Sequence, residues 1–293
     1  MSLCNFAQKN FKGLLMWVNY NGRFFPAASV PVSATDPAWQ YGASLFETMR
    51  FTAGKVPLLR YHWQRLTAGI ELLFTSLPAA TTIEWLAAEI QKTVKKNDLV
   101  GDARIRVQIS WTYLPETPEE NHQIFYKIES YSCKALKFNK LGLETGVYSG
   151  PFLPLSMPLA RFKTGNYLPY LMAAQEAKQR GLTDVLMRNK AGRIGEGSAA
   201  NVFWVHNGLL HTPPLTEPIV AGVARSRLLE VLSHRNIPVQ ETPLTIETLW
   251  EADTLFLTNA FYGLRWVARC EHKGYAKGIT EALFHAAFAV MTS

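Results

Sequence analysis

Seven short segments hold the side chains from which a reactive site could be assembled. In chain order they are Tyr41-Gly-Ala-Ser-Leu-Phe-Glu-Thr-Met-Arg50, His62-Trp-Gln-Arg65-Leu66, Lys163-Thr-Gly-Asn-Tyr167-Leu168, Gly192-Arg-Ile-Gly-Glu196-Gly-Ser-Ala-Ala-Asn201-Val-Phe, Thr212-Pro-Pro, Gly222-Val-Ala-Arg225 and Leu257-Thr-Asn-Ala260. Between them they offer an amine, carboxylates, guanidiniums and glycine-rich backbone, the groups that serve as nucleophile, acid or base, and anion cradle. Taken singly, each has an ordinary structural reading as a solvated lysine, a turn glutamate or a helix-face arginine.

The better-known signatures are absent or fail on context. Gly195-Glu-Gly197-Ser-Ala-Ala200 has the spacing of a dinucleotide-binding turn. That turn works by opening a helix whose N-terminus holds a pyrophosphate, whereas here the strand-like run Asn201-Val-Phe-Trp-Val follows at once. There is no P-loop, no GxSxG elbow and no HExxH helix. The seven histidines are scattered without metal-ligand spacing, and His62 reads as a packing residue rather than a base. Cys4, Cys133 and Cys270 lie far apart and form no CxxC pair, so reduced thiols are expected and neither a disulfide framework nor a metal site is.

Taken together and in order, the seven segments resemble the class IV, or fold-type IV, pyridoxal-phosphate enzymes, the family of branched-chain and D-amino-acid aminotransferases and of 4-amino-4-deoxychorismate lyase. The resemblance runs from about Tyr20 to Val267. It implies an α+β, two-lobed fold with pyridoxal 5′-phosphate between the lobes, and a homodimer.

On this resemblance Lys163 is the catalytic residue. Its amine forms a Schiff base with the cofactor aldehyde and then shuttles a proton, a task suited to a lysine whose pKa is lowered by burial or a cationic neighbour. Glu196 sets a carboxylate against the ring nitrogen, which must stay protonated for the ring to act as an electron sink. Arg65, on the family's His-x-x-Arg-Leu helix, holds the phosphate, joined by backbone amides at Val223 and Ala224, where a helix opens, and at Thr258 and Asn259, with the Thr258 hydroxyl as a further donor. Ala224 departs from the usual Gly-Ile-Thr, so binding there rests on main chain alone. Tyr167 is placed to hydrogen-bond the cofactor's phenolic oxygen, and Val220 to pack on the ring.

The resemblance fixes the cofactor better than the reaction. Ser198-Ala-Ala-Asn-Val-Phe-Trp and Thr258-Asn-Ala260 look like lyase segments, whereas branched-chain aminotransferases tend to carry Ser-Gly-Glu-Asn and Thr-Gly-Thr-Ala. Arg104-Ile-Arg106 stands where those aminotransferases carry Tyr-Ile-Arg. Arg104, Arg106 and Arg265 are therefore candidates for a substrate with two carboxylates, although strand arginines often face solvent. The implied function is aminodeoxychorismate lyase, which eliminates pyruvate to leave 4-aminobenzoate for folate biosynthesis. The alternative is an amino acid:2-oxo acid aminotransferase acting on branched-chain or D-amino acids. Trp111-Thr-Tyr-Leu-Pro replaces a glycine-rich turn that many members carry.

The elements that must position these residues are legible in outline. Asn21-Gly22 between Met16–Tyr20 and Arg23–Pro26, and Ala53-Gly54 between Leu45–Thr52 and Val56–Leu59, predict two hairpins. Helices are expected over Tyr61–Phe74 and Trp85–Val94, the latter opened by a Thr81/Glu84 capping box, then strands at Arg104–Tyr113 and Ile124–Ser132. A change of pattern near 132–142 suggests a smaller α/β lobe over 1–132 and a larger one over 133–293. In the latter, helices are expected at Asn166–Arg180, stopped by Gly181, and Val223–Ser233, with strands at Asp184–Arg188, Asn201–His206, Leu209–Thr212 and Thr254–Thr258.

Composition agrees with an enzyme-sized globular protein. Of 293 residues, 48% are hydrophobic and 18% charged, enough to bury a core. The excess of 30 basic over 23 acidic side chains raises nucleic acid as a partner, but no binding module is present, and Lys92–Lys96 reads as a solvated helix face. Ala282–Met291 is interrupted by His285 and falls short of the roughly 18 apolar residues that span a bilayer. Lys9 and Lys12 before Leu14–Val18 lack a cleavage site, so a cytoplasmic protein is expected.

Overall fold

The computed structural model describes residues 16–73, 80–112, 123–151 and 158–292. These divide into an N-terminal unit, running to Ala135 and joined by residues 162–166, and a C-terminal unit of residues 136–161 and 167–292.

In the N-terminal unit, β1 (Trp17–Tyr20) and β2 (Arg23–Pro26) form the expected hairpin. Asn21 (φ 50°) and Gly22 (φ 79°) both take the left-handed conformation that a tight turn between right-twisted strands requires. A short helix α1 (Pro37–Tyr41), capped by the Asp36 carboxylate, leads into β3 (Ser44–Phe51). With β4 (Ala103–Thr112) and β5 (Gln123–Ser132) these make an antiparallel sheet in the order β2-β1-β5-β4-β3. Helices α2 (Leu59–Leu73) and α3 (Ile83–Lys96) cover one face.

Period-2 alternation decides what goes where. Leu45, Met49 and Phe51 of β3 and Ile105, Val107 and Ile109 of β4 pack against Leu66, Ile70, Leu86, Ile90 and Val94. Each fully buried aliphatic contributes roughly 1.5–3 kcal/mol. The alternate residues Phe46, Thr48, Arg50, Arg104 and Arg106 share the opposite face.

Two expectations here are corrected. Val56–Leu59 is not a strand: Thr52 and Lys55 form an isolated bridge across Ala53-Gly54, after which Pro57 offers no N–H and Leu59 opens α2. The α3 cap is Thr82, whose hydroxyl accepts from Trp85 N at 3.2 Å, one residue later than the Thr81/Glu84 spacing suggests. The ends of the expected segments at Phe74 and Tyr113, and the remainder of the Trp111–Pro115 stretch, lie outside the described residues, as does the N-terminal lysine pair.

The C-terminal unit holds β6 (Leu143–Val147), α4 (Leu168–Gln179), β7 (Asp184–Arg188), β8 (Ile194–Gly197), β9 (Asn201–His206), β10 (Leu209–Thr212), α5 (Val223–His234), β11 (Val239–Glu241), α6 (Ile246–Glu251), β12 (Thr254–Asn259), β13 (Gly263–Cys270), β14 (Lys273–Gly274) and α7 (Thr280–Phe288). Strands β9-β12-β13-β6-β7-β8 follow one another, and β8 pairs back to β9 at Glu196↔Asn201, so six strands return on themselves, extended by β10 and β11. Closure of this kind removes exposed sheet edges. Leu186, Ile194, Val202, Trp204, Leu255, Leu257 and Val267 fill one side of the ladder, with Leu249 of α6 against them. On the other side Tyr170, Ala173 and Ala177 of α4 meet Val185 and Met187.

Helix α4 begins at Leu168 rather than Asn166, with Pro169 in its first turn, where a missing N–H is harmless. Gly181 (φ 69°) follows its end as expected. Among the described residues no helix is long and apolar enough to cross a membrane, and no group of three or more candidate metal ligands occurs.

Candidate active site

In the C-terminal unit the site is organised around Glu196, a carboxylate only 2% exposed. Its strand is irregular. Met187 pairs with Glu196, but Arg188 pairs with Ile194, so β8 carries one extra residue at Gly195. A bulge of this kind re-aims side chains. Ile194 accordingly points into the core with Leu186 and Val202, while Glu196 meets Tyr170, whose ring belongs to the cluster on the other side. Glu196 accepts from Tyr170 Oη at 2.8 Å, from Asn201 Nδ2 at 3.2 Å and from Val220 N at 3.1 Å.

Asn201 in turn donates to Val220 O at 2.9 Å, tying the carboxylate to the segment that enters α5. Helix α5 opens at Gly222 with no side-chain cap, although Val223, Ala224 and Arg225 are all buried. First-turn N–H groups have no acceptor within their own helix, so a buried, uncapped start is suited to an anion. A second observation agrees. Thr258, on β12 against which α5 packs, is buried, and its Oγ1 has no hydrogen-bond partner among the described residues. Thr258 and Asn201 are register partners and so share the face on which Glu196 also lies. Asn259, by contrast, spends its side chain on structure: Oδ1 accepts from Phe261 N and Tyr262 N, and Nδ2 donates to Ala199 O.

Gly222 is required at this corner. A Cβ there would stand 1.7 Å from Asn201 Oδ1, so Gly222→Ala must displace the amide that braces Glu196. Overpacking of this sort destabilises by about 1–3 kcal/mol. The variant should melt several degrees lower and bind the family's cofactor at least tenfold more weakly; unchanged affinity in a titration of the apoprotein would mean the corner is not part of a binding site.

Two expected residues have other partners. Tyr167 donates its hydroxyl to Ser198 O at 3.3 Å and stacks on Tyr170, centroids 4.6 Å apart. Arg265 pairs in register with Leu257, which places it on the ladder's core side, opposite Thr258 and Glu196. There its guanidinium lies 4.5 Å from the centroid of the Tyr262 ring and feels the charge of Asp184, itself buried and accepting from Ser198 N and Oγ. Burial pushes the Asp184 carboxyl up and the Arg265 guanidinium down.

In the N-terminal unit, residues 163–165 run along the edge of β3: Phe46 N donates to Lys163 O at 2.8 Å, and Gly165 N to Ser44 O at 2.7 Å. Lys163 Nζ lies 4.7 Å from the centroid of the Phe46 ring, and the Arg106 guanidinium lies 4.1 Å from the same centroid. One aromatic ring therefore carries both cations. Arg104 lies on this sheet face too, paired in register with Arg50.

Arg65 is on the helix face, where Glu47 takes Nε at 2.8 Å and Nη2 at 2.6 Å in a two-pronged pair, and also binds His62 Nδ1 at 2.6 Å. Burial alone would raise the Glu47 carboxyl, but Arg65 and His62 outweigh it and hold it at about 2. Burial pushes His62 down, reinforced by the charges of Arg65 and Lys163 and opposed by Glu47. A carboxyl lowered from 4.5 to about 2 contributes on the order of 3 kcal/mol above pH 4.5, and this is lost as the pH falls through 2. In acid unfolding, the stability gap between wild type and Glu47→Gln should therefore narrow by about 3 kcal/mol from about pH 6 to about pH 2; a gap independent of pH would show that the pair is not ionic.

The model for amino-transferase class IV matches residues 44–270, and the chain belongs to that family. A putative branched-chain-amino-acid aminotransferase of Methanocaldococcus jannaschii is 29% identical over 83% of this chain and 84% of its own. An aminodeoxychorismate lyase of Vibrio harveyi is 27% identical over 85% and 89%. Among solved structures, the branched-chain aminotransferase of Thermoproteus uzoniensis, crystallised with norvaline, aligns with a TM-score of 0.81 at 28% identity over 92% of each chain. The chain is thus an α+β fold-type IV enzyme, and the cofactor of its family is pyridoxal phosphate. The buried, uncapped start of α5, the Thr258 hydroxyl without a partner among the described residues, and the braced Glu196 carboxylate fit a phosphate and a protonated ring nitrogen.

Tyr170, Asn201, Glu47 and Phe46 were not singled out from sequence. Each lies in or beside a quoted segment, but its part depends on packing between segments distant in the chain.

Proposed function

We propose that the chain is a pyridoxal-phosphate lyase that removes pyruvate from aminodeoxychorismate, leaving 4-aminobenzoate. Pyridoxal phosphate, when bound, supplies an electron sink that lets a substrate amine lose its Cα proton. Lys163 provides the tether and moves that proton through Nζ. Glu196 holds positive charge on the ring nitrogen. Arg65, oriented by Glu47, the amides of Val223 and Ala224, and the Thr258 hydroxyl hold the phosphate.

The observation that carries the substrate class is the pair of arginines on β4. Arg106 shares the Phe46 ring with the Lys163 ammonium, and Arg104 stands two residues away on the same face, so two guanidiniums flank the reactive amine's side of the sheet. Guanidinium forks suit carboxylates, and aminodeoxychorismate carries two. Arg265, on the core side of the C-terminal ladder, has no part in this reading.

A second reading, aminotransferase, is favoured by the greater identity of the Methanocaldococcus jannaschii relative, and a dicarboxylic amino donor would use the same arginines. Incubation of holoenzyme with aminodeoxychorismate decides between them. Release of 4-aminobenzoate and pyruvate is expected; amino transfer from branched-chain, D- or dicarboxylic amino acids to a 2-oxo acid, with no 4-aminobenzoate, reverses the order.

A further inference from the structure

The braced carboxylate depends on a tyrosine that the functional reading does not use. Tyr170, in the first turn of α4, is 4% exposed and gives its hydroxyl to Glu196 Oε1 at 2.8 Å. Asn201 and Val220 N attend mainly to the other oxygen, at 3.2 and 3.1 Å, and Val220 N reaches Oε1 only at 3.3 Å. Tyr170 therefore makes the shortest of these contacts to Oε1. Its ring is fixed by stacking on Tyr167 with an interplanar angle of 17°, and Tyr167 in turn donates to Ser198 O. One pair of stacked rings thus grips the Glu196–Ser198 segment at both ends.

We propose that Tyr170 is a positioning residue for the ring-nitrogen carboxylate: its hydroxyl fixes the carboxylate plane and stabilises the charged form, so that the proton shared with the cofactor stays on the ring nitrogen. The physical reason is that a hydrogen bond to a carboxylate favours its ionised state, and does so more strongly out of water. The proton of the phenol does not transfer. Burial and the Glu196 charge push the Tyr170 hydroxyl well above its ordinary value, which keeps it a donor. The proposal rests on the assignment of Glu196 to the cofactor ring.

The test is a cycle of four proteins, wild type, Tyr170→Phe, Glu196→Gln and the double variant, each prepared as apoprotein and titrated with pyridoxal phosphate while the visible spectrum is recorded. Near-UV circular dichroism checks that the phenylalanine ring keeps the packing. If Tyr170 acts through Glu196, Tyr170→Phe weakens the cofactor about tenfold and alters its band in the wild-type background, and changes neither by more than about twofold when Glu196→Gln is already present. Additive effects, or a Tyr170→Phe protein that matches wild type while Glu196→Gln does not, overturn the proposal and leave the reading of the site intact. A wild-type protein that takes up no pyridoxal phosphate, or a Glu196→Gln protein that binds it as wild type does with an unaltered band, overturns both.

Discussion

Lys163→Ala is expected to slow turnover by at least about a thousandfold and to remove the visible absorption that pyridoxal phosphate gives on wild-type protein. Positioned proton transfer alone is worth about 10²–10⁴ in rate, and this residue is also asked to tether the cofactor. The fold should survive. What residue 163 gives to the structure is its carbonyl, accepting from Phe46 N at 2.8 Å, and alanine keeps that. Lys163→Arg separates charge from nucleophilicity: a guanidinium can still sit over Phe46, but it stays protonated in proteins and cannot serve as nucleophile or base. It should be as inactive as the alanine variant. Activity within tenfold of wild type in either would remove Lys163 from the chemistry.

The second large effect is expected at Glu196. Glutamine keeps the shape and one oxygen but carries no charge, so it cannot hold a proton on the ring nitrogen. Loss of one pre-organised electrostatic contact in a water-poor site costs about 10²–10³ in kcat. The loss should fall on kcat more than on KM, because the substrate's carboxylates are assigned to Arg104 and Arg106 rather than to this group. Glu196→Asp keeps the charge but is one methylene short of Tyr170 and Val220, and should fall between the two. A glutamine variant with wild-type kcat would mean that the carboxylate is structural.

Short-range chemistry accounts for much of the fold. The Asn21-Gly22 turn, Gly181 after α4, and the strands Asp184–Arg188, Asn201–His206 and Leu209–Thr212 are written in local pattern, and the structure has them at those residues. Gly195–Ala200 opens no helix, as the strand-like run after it implies: its first three residues belong to β8, and β9 begins directly after Ala200. The strands Leu143–Val147 and Gly263–Cys270 are not legible in the same way. Leu143–Val147 offers only two strongly apolar residues, Leu143 and Val147, and its ladder partner β13 lies more than a hundred residues away. Position in the ladder, not local pattern, makes it a strand.

The site shows the same division. The segments named the residue types, but which side of the sheet each faces depends on register and on the bulge at Gly195. Arg265 looked equivalent to Arg104 and Arg106 on paper, and only the pairing with Leu257 places it on the core side with Asp184. Tyr170 is three residues from Tyr167 in the chain, yet its hydrogen bond to Glu196 exists because α4 packs on β7 and β8 follows.

The central claim is that the amine of Lys163 is the cofactor's point of attachment. Wild-type apoprotein should be loaded with pyridoxal phosphate, reduced with borohydride, digested and mapped by mass spectrometry. The expected result is a single phosphopyridoxyl group, on the peptide containing Arg161-Phe-Lys163-Thr-Gly and on Lys163 itself. A stoichiometric label on any other lysine, or no label on a protein that has visibly bound the cofactor, would contradict it.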